Sequence, residues 1–468
     1  MNKINEIVSE IKTEDSLVDN LKEITPAQCF IDDMAITTAF FSEIQDDNKG
    51  KRRVKVPYLI TSNKDKIKLD PEELLRRGYY SERNPNYDQR WQISEVKKFI
   101  CSDSTAVSKE VVFEQIKNQY KKYIDCGDER WSDVLACWVI GTYFHRIFAT
   151  YPYIHLNGNM EAGKSKTMFL TMLLSFNGEM SVNSSPSYMI RTIHDNNASC
   201  GIDEAEKLGG GGDDEKVLGA IFNSGYKKGT YVGKSEKGKN DKWTPKRFES
   251  YSPKIFGGIK RIDSTLASRS ITITMIRTDN KEIKNREINT SDKVLQEIID
   301  GLHNLMMTIH LDIRDIYLKI EDTDILGREW ELWRPILSIA KSISSELYQK
   351  LRIFALETQA QKKDIMSDDT NVIKLLETIL EMTADQLFPT FYTISSIADF
   401  FIDIKSPYAN DFAWMIGKNL KRWIGDELRK AGVINGQSKQ QKIDGQNTRG
   451  YVLDRELIVK RLAIYRQS

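Results

Sequence analysis

The sequence is poor in cysteine and histidine and has no long hydrophobic run. It contains five of each among 468 residues. The cysteines, none of which belongs to a C-x-x-C pair, are Cys29, Cys101, Cys126, Cys137 and Cys200. Their scatter, with no histidine at ligand spacing, argues against a disulfide framework or a zinc site. No apolar run reaches the length of a membrane span, and residues 1–12 lack the apolar core of a signal peptide. We therefore expect a cytoplasmic protein without membrane contact.

Excess charge of either sign is also missing. The chain has 68 lysines and arginines against 67 acidic residues, a formal net charge of +1. This balance argues against a uniformly basic coat for nucleic acid, although local patches stay open. A chain of this length favours about two or three domains.

Residues 158–165 match the phosphate-binding loop pattern G-x-x-x-x-G-K-[ST] without a mismatch. An apolar run precedes the segment and a helix-compatible run follows it, which is the strand–loop–helix setting that the motif needs. The residues predicted to bind a nucleotide are Gly158, Asn159, Met160, Glu161, Ala162, Gly163, Lys164, Ser165 and Lys166. Lys164 would neutralise phosphate charge, and Ser165 would hold Mg²⁺. The alternative is a chance glycine-rich turn before a helix.

Two acidic residues follow a strand-like segment at residues 199–202 and complete the pattern of an ATPase. Asp203 would bind Mg²⁺ through water, and Glu204 would polarise the attacking water. Two adjacent acids alone are a weak signal, because a surface helix can begin with them. About forty residues after a good phosphate loop, they predict ATP hydrolysis with Mg²⁺.

Strand-like segments alternate with helical ones around this pair of motifs. The segments are residues 154–157, 180–182, 199–202, 254–258 and 271–275, and their rhythm predicts an α/β core. Arg269 precedes the last segment and is a candidate arginine finger for a neighbouring subunit's nucleotide; the alternative is a surface arginine at a strand start. Arg328 lies in the following helical region and is a candidate contact to nucleotide phosphate.

A long insertion before the segment 254–258 predicts a β-hairpin with a lysine-rich tip. Lys234, Lys237 and Lys239 would hold the phosphates of a single DNA strand. The alternative is a solvated loop.

The two ends of the chain predict further modules, which divide it into residues 1–100, 101–360, a linker at 361–371, and 372–468. The first is a mixed α/β module in which basic and aromatic residues interleave over residues 76–91, either as a nucleic-acid surface or as a half-buried sheet face. The last has the helix–helix–wing order of a winged helix. Its predicted DNA-binding residues are Lys418, Lys421, Arg422, Lys439 and Lys442. The alternative use of such a module is protein contact or ring assembly.

These motifs together resemble AAA+ helicases of the MCM-like group with a pre-sensor-1 hairpin, notably the replication initiator helicases of staphylococcal pathogenicity islands and resistance cassettes. The residues that carry the resemblance are the phosphate loop, Asp203 and Glu204, the lysine-bearing hairpin, Arg269 and the run at 328–340. The C-terminal half is also similar to helicase domains of phage-type primase–helicases.

The resemblance implies an AAA+ P-loop ATPase core and a homohexamer that hydrolyses ATP and translocates 3′ to 5′ on single-stranded DNA to unwind duplex. It also implies a replication origin of the mobile element as target and host replication proteins as candidate partners. One departure is the segment 254–260, which lacks the usual sensor asparagine. Two other hypotheses stay open: a DNA-binding switch or assembly ATPase without unwinding activity, and a helicase fused to a primase, against which the N-terminal region lacks a clear acidic triad.

Overall fold

The computed structural model describes residues 21–47, 50–102, 107–181, 185–203, 212–237, 243–258, 264–365, 367–384, 390–402, 418–434, 438–443 and 446–467. The chain divides into two compact units, residues 1–356 and 357–468. The first unit holds the predicted N-terminal module and ATPase region together. No helix in the described ranges is long and apolar enough to cross a membrane.

The first unit begins with a four-stranded antiparallel sheet. The elements are β1 (Lys22–Glu23), β2 (Gln28–Ile31), β3 (Met34–Asp47), β4 (Gly50–Thr61), β5 (Lys66–Lys68), α1 (Pro71–Arg76) and β6 (Tyr79–Tyr80). The sheet order is β2-β3-β4-β5, while β1 pairs with β6. Strands β3 and β4 pair with each other over nearly their whole length and form a long hairpin. Ala39, Phe41 and Val56 are buried because alternate side chains on its inner half face the core.

Helices then lead to a parallel sheet at the centre of the first unit. The elements are α2 (Ile93–Ile100), α3 (Lys109–Tyr123), α4 (Arg130–Thr142), β7 (Tyr153–Asn157), α5 (Lys164–Leu174), β8 (Glu179–Ser181), α6 (Pro186–Asn196), β9 (Cys200–Ile202), α7 (Asp213–Ser224), β10 (Tyr231–Lys237), β11 (Trp243–Glu249), β12 (Lys254–Gly258), α8 (Ser264–Ala267) and β13 (Ser270–Thr274). All five predicted core strands are present within two residues of their expected bounds. Their order is β13-β7-β12-β9-β8, and every neighbouring pair is parallel.

The central strands are buried, as expected for a parallel sheet whose two faces are covered by helices. All of β12 and the first four residues of β7 are buried. β10 and β11 pair antiparallel outside this sheet and form the predicted hairpin. The remaining helices of the unit are α9 (Lys281–Asn285), α10 (Lys293–Thr308), α11 (His310–Lys319), α12 (Gly327–Ile343) and α13 (Ser345–Ile365).

The second unit combines helices with a three-stranded antiparallel sheet of order β14-β16-β15. Its elements are α14 (Ser367–Met382), β14 (Thr390–Tyr392), α15 (Ile394–Phe401), α16 (Lys418–Lys430), β15 (Lys439–Ile443), β16 (Gln446–Leu453) and α17 (Arg455–Gln467). The linker expected at 361–371 is helical in its described part, since α13 reaches Ile365 and α14 begins at Ser367. Polarity alone does not break a helix, and the glutamine and lysines at 361–363 are good helix formers.

Candidate active site

The phosphate loop lies at the carboxyl end of the central strand β7. β7 has β13 on one side and β12 on the other, and the chain turns through residues 158–163 directly into α5. In open parallel sheets, ligands bind in the crevice outside the carboxyl ends of the strands. The loop therefore stands where a bound anion would meet both the crevice and the amino end of α5.

Two glycines of the motif are required by the backbone. A Cβ atom at Gly158 would lie 2.4 Å from the carbonyl oxygen of Met275, which runs alongside the loop. Gly163 has a φ of +84° at the start of α5, a left-handed conformation that glycine adopts without strain. The spacing of the motif thus follows from one close backbone approach and one left-handed turn.

The Lys164 ammonium is turned back over its own loop. Its Nζ donates to the carbonyl oxygens of Gly158 at 2.6 Å and Asn159 at 2.8 Å. Both acceptors are neutral carbonyls, and an ammonium has a third N–H to donate. A phosphate cradled by the loop would be the nearest anion it could pair with.

Ser165 and Asp203, 38 residues apart, are brought into direct contact. The Ser165 hydroxyl donates to a carboxylate oxygen of Asp203 at 2.6 Å. β12 lies between β7 and β9, and its Gly257 has no side chain to separate Lys164 from Asp203. This places a hydroxyl and a carboxylate, both hard oxygen ligands, side by side at the mouth of the loop.

A pair of oxygen ligands suits Mg²⁺ better than a metal ion that is coordinated by protein side chains alone. No group of three or more His, Cys, Asp or Glu side chains within the described ranges could hold an ion by itself. Mg²⁺ is usually held by one or two protein oxygens together with waters and substrate phosphates. Glu204, the predicted water-polarising residue, lies outside the described residues, as do residues 259–263 beyond the glycine end of β12.

Residues 275–288 cover the loop and were not anticipated from the sequence. The Arg277 Nε donates to the carbonyl oxygen of Met160 at 2.9 Å, and the Lys166 Nζ donates to that of Ile283 at 2.7 Å. Beside them is a cleft of about 590 Å³. Its lining consists of Lys166, Phe169, Lys284, Asn285, Arg286, Glu287 and Ile288. A cationic cleft with one aromatic ring, next to a phosphate loop, could receive the rest of a nucleotide.

Arg90 holds the opposite end of α5, and its role was also missed. Its guanidinium donates to the carbonyl oxygens of Met172 at 3.1 Å, Leu173 at 3.2 Å and Ser175 at 3.1 Å, and also to that of Gly178. The last carbonyls of a helix have no partner within it and carry the negative end of its dipole. A residue of the N-terminal segment therefore fixes the helix whose first turn carries the phosphate loop.

Replacing Arg90 with methionine should lower the thermal midpoint by several degrees, because buried carbonyls would lose a charged donor worth about 2–4 kcal/mol. Nucleotide affinity, measured by calorimetry well below that midpoint, should also fall severalfold, since α5 would no longer be fixed. Arg76→Ala is the matched control, because Arg76 is exposed and pairs only with Glu73. Unchanged nucleotide affinity in Arg90→Met would limit Arg90 to a structural role.

Arg269 and Arg328 lie at the amino-terminal end of the parallel strands, whereas the phosphate loop lies at the carboxyl end. Arg269 precedes β13, whose Ser270 is level with Tyr153 at the amino end of β7, while Thr274 is level with Asn157 at the loop. Arg328 lies over the Tyr226 ring at 5.1 Å, and that ring packs edge-on against Tyr153. Arg328 is also paired with Glu331. Both arginines therefore lie at the amino-terminal end of the strands, opposite the end that carries the phosphate loop.

The hairpin of β10 and β11 has a strongly anchored base. The Glu249 carboxylate pairs with Arg83 and Arg146, each at 2.7 Å, and all three side chains are largely buried. Burial raises the pKa of Glu249, but the two guanidiniums outweigh this and hold it at about 2. The carboxylate stays ionised at any pH above this value, so the hairpin root is stable across the physiological range.

The body of the hairpin presents lysines to solvent. Lys234 lies directly opposite Lys246 in the register, and Lys234 is exposed and donates to the Ser187 hydroxyl. Like charges directly opposite one another are unfavourable unless an anion lies near them. Lys237 is the last residue of β10, and the structure describes its backbone only. Lys239 lies outside the described residues.

The basic and aromatic residues at 76–91 are largely used inside the protein. Arg83 and Arg90 make the buried contacts above, the Tyr87 hydroxyl donates to the carbonyl oxygen of Thr38 at 2.8 Å, and Trp91 is buried against His303. The nucleic-acid interpretation of this segment is therefore wrong for these four residues, although the segment is not a regular sheet face either.

The predicted DNA-binding residues of the second unit occupy α16 and β15. Lys421 and Arg422 are exposed on α16, and the Lys421 ammonium donates to the Ser395 hydroxyl at 3.1 Å. Lys439 and Lys442 are exposed on β15, and Lys418 begins α16 with its side chain outside the description. A cleft of about 540 Å³ beside α16 is lined by residues of both signs, including Asp426 and Glu427.

Comparison with known proteins gives only distant similarity. No protein-family model matches the chain, and no curated protein matches it. Two similar solved structures are both described as the A-form apo structure of the NrS-1 C-terminal region. One has a TM-score of 0.30 and 13% identity and covers 80% of each chain. The other, of residues 305–718, has a TM-score of 0.31 and 13% identity and covers 73% of this chain and 75% of that one. Function is therefore inferred from the site itself.

Proposed function

We propose that this protein is an ATP-dependent DNA helicase and replication initiator with an AAA+ type P-loop core. The observation that carries the proposal is the contact between Ser165 and Asp203 at the mouth of the phosphate loop, on the carboxyl edge of a parallel sheet. In P-loop ATPases, a loop hydroxyl and an acid after a neighbouring strand hold Mg²⁺ on the nucleotide phosphates.

Within this proposal, ATP binds with its phosphates in the loop at 158–165 and its base and ribose toward the cleft beside Lys166 and Phe169. Lys164 pairs with the terminal phosphates, and Ser165 and Asp203 would hold Mg²⁺, which supplies charge neutralisation. A water attacks the γ-phosphorus while the bond to the β–γ bridging oxygen breaks. ADP leaves with that electron pair, and Glu204 accepts the proton of the water.

The positions of Arg269 and Arg328 support a site shared between subunits. Both arginines lie at the amino-terminal end of the strands, away from the phosphate loop of their own chain. In a head-to-tail ring, the end of one subunit that carries these arginines would face the phosphate loop of the next subunit. Each nucleotide site would then be completed by an arginine from the neighbouring subunit. We propose a homohexamer on this basis, with the β10–β11 hairpin contacting single-stranded DNA and the second unit acting as a winged helix on duplex.

The test is strand displacement on forked DNA with ATP, comparing the wild type with Glu204→Gln. We expect unwinding by the wild type only, since the variant keeps nucleotide binding but loses the group that activates water. Substrates with 3′ or 5′ tails then report polarity, for which we propose 3′ to 5′. ATP hydrolysis and DNA binding without strand separation would favour the switch or assembly ATPase instead.

A further inference from the structure

The hairpin of β3 and β4 extends beyond the sheet that it belongs to. β2 pairs only with residues 34–37 of β3, and β5 pairs only with residues 58–60 of β4. Farther out, the two strands pair with each other alone, as far as Asp47 and Gly50. Residues 42–47 and 50–55, here called the outer ribbon, span about 20 Å at the usual rise per residue.

The outer ribbon carries a row of exposed cations on one face. Lys51, Arg53 and Lys55 alternate along β4, so their side chains leave the same face, and all three are exposed, as is Arg52 on the other face. The structure assigns none of these cations an ion-pair partner within the described ranges. The outer ribbon has fewer acidic residues than basic ones. One of them, Asp46, is directly opposite Lys51 in the register.

The Glu43 carboxylate is directed away from this row. Glu43 is level with Val54, on the face that becomes the buried one toward the core, and its carboxylate accepts the hydrogen bond of the Tyr58 hydroxyl. The exposed face instead carries Ser42 and Ile44, with Ile44 68% exposed beside Arg53. Cationic charge is thus concentrated on one side of a projecting two-stranded ribbon.

We propose that the outer ribbon binds the phosphate backbone of duplex DNA, with the ribbon lying in or along the major groove. Alternate residues of an antiparallel strand are about 6.8 Å apart, close to the rise of two phosphates along one DNA strand. The major groove of B-DNA admits a two-stranded ribbon. The deep, narrow major groove of duplex RNA does not, so duplex RNA should bind less well at this element.

This contact is separate from ATP hydrolysis, and its test needs no nucleotide. The probe is a fluorescent mixed-sequence DNA duplex of about two helical turns, titrated with the full chain at several salt concentrations. We expect the combined variant Lys51→Ala, Arg53→Ala and Lys55→Ala to bind at least about tenfold more weakly at moderate salt. The slope of log affinity against log salt should fall by about 2–3, because each lost phosphate contact removes roughly 0.9.

A matched control removes three exposed lysines elsewhere, with the changes Lys68→Ala, Lys97→Ala and Lys319→Ala. If the ribbon variant and the control lose equal affinity and equal slope, the proposal fails. It also fails if the ribbon variant only aggregates more, which would mean that the cations merely protect free strand edges. Should the triple variant not fold, Arg53→Gln with an unchanged thermal midpoint should still lower the slope by about one.

Discussion

Lys164→Ala is expected to abolish tight ATP binding and to reduce ATP hydrolysis at least about 100-fold, the typical cost of removing one preorganised donor from developing negative charge. The structure supports a large functional effect with little loss of stability. Among the described residues, the ammonium donates to the carbonyl oxygens of Gly158 and Asn159, and neither of these residues is buried. Phosphate release in steady state and calorimetric titration with ATP measure the effect.

Lys97→Ala is a suitable control for Lys164→Ala, because it removes an exposed lysine far from the loop in sequence. Its hydrolysis rate and thermal midpoint should match those of the wild type. If Lys164→Ala retains hydrolysis with the ATP dependence of the wild type, the loop at 158–165 is not the nucleotide site. The glycines would then serve the backbone turn alone.

Arg269→Ala is expected to reduce hydrolysis by about 10³-fold or more, and a second inactive variant should restore part of the activity. The register places Arg269 one residue before the amino end of β7, roughly 20 Å along the strand from the loop that begins at Gly158. Its guanidinium donates to the carbonyl oxygen of Thr265 at 2.8 Å, on the same edge. In the proposed ring, an arginine there would act on a neighbour's nucleotide, where such residues contribute about 10³–10⁵ in rate.

Mixing Arg269→Ala with Lys164→Ala tests this arrangement directly. An interface between an intact Lys164 and a neighbour's intact Arg269 is competent, and random mixing creates about one such interface in four. Hydrolysis by the mixture should therefore exceed that of either variant alone. Co-purification of differently tagged subunits confirms that mixed assemblies form. Full activity in a monomer, or mixed assemblies without rescue, would contradict a finger supplied by the neighbour.

The N-terminal segment is more closely tied to the ATPase region than a separate module would be. Arg90 binds the last carbonyls of α5, while Arg83 holds the Glu249 carboxylate at the base of the β10–β11 hairpin. The same short stretch thus fixes one end of α5 and one end of the proposed DNA-contacting hairpin. A change at either arginine is expected to affect both ATP and DNA binding.

Sequence alone determined the parts of this protein that depend on neighbouring residues. The order of β7, loop and α5, the five core strands and the β10–β11 hairpin follow from local patterns, because residues buried on one or both faces of an element recur at a short, regular spacing. Gly163 is required by the left-handed backbone of the motif itself, whereas Gly158 is required by the close approach of the Met275 carbonyl, which is distant in sequence. The sequence predicted that Ser165 and Asp203 would each serve Mg²⁺, and the structure brings the two side chains into direct contact.

Only the tertiary structure decided which distant groups meet. Arg90 looked like a candidate nucleic-acid contact, yet strand and helix packing turned it onto carbonyls more than 80 residues away. Arg328 was a candidate contact to nucleotide phosphate, and the structure places it over the Tyr226 ring, which packs against Tyr153 at the amino-terminal end of β7. The same cation can bind solvent, a carbonyl or a phosphate with similar chemistry. Strand order and packing determine which of these partners a given cation contacts, and the local residue pattern does not predict it.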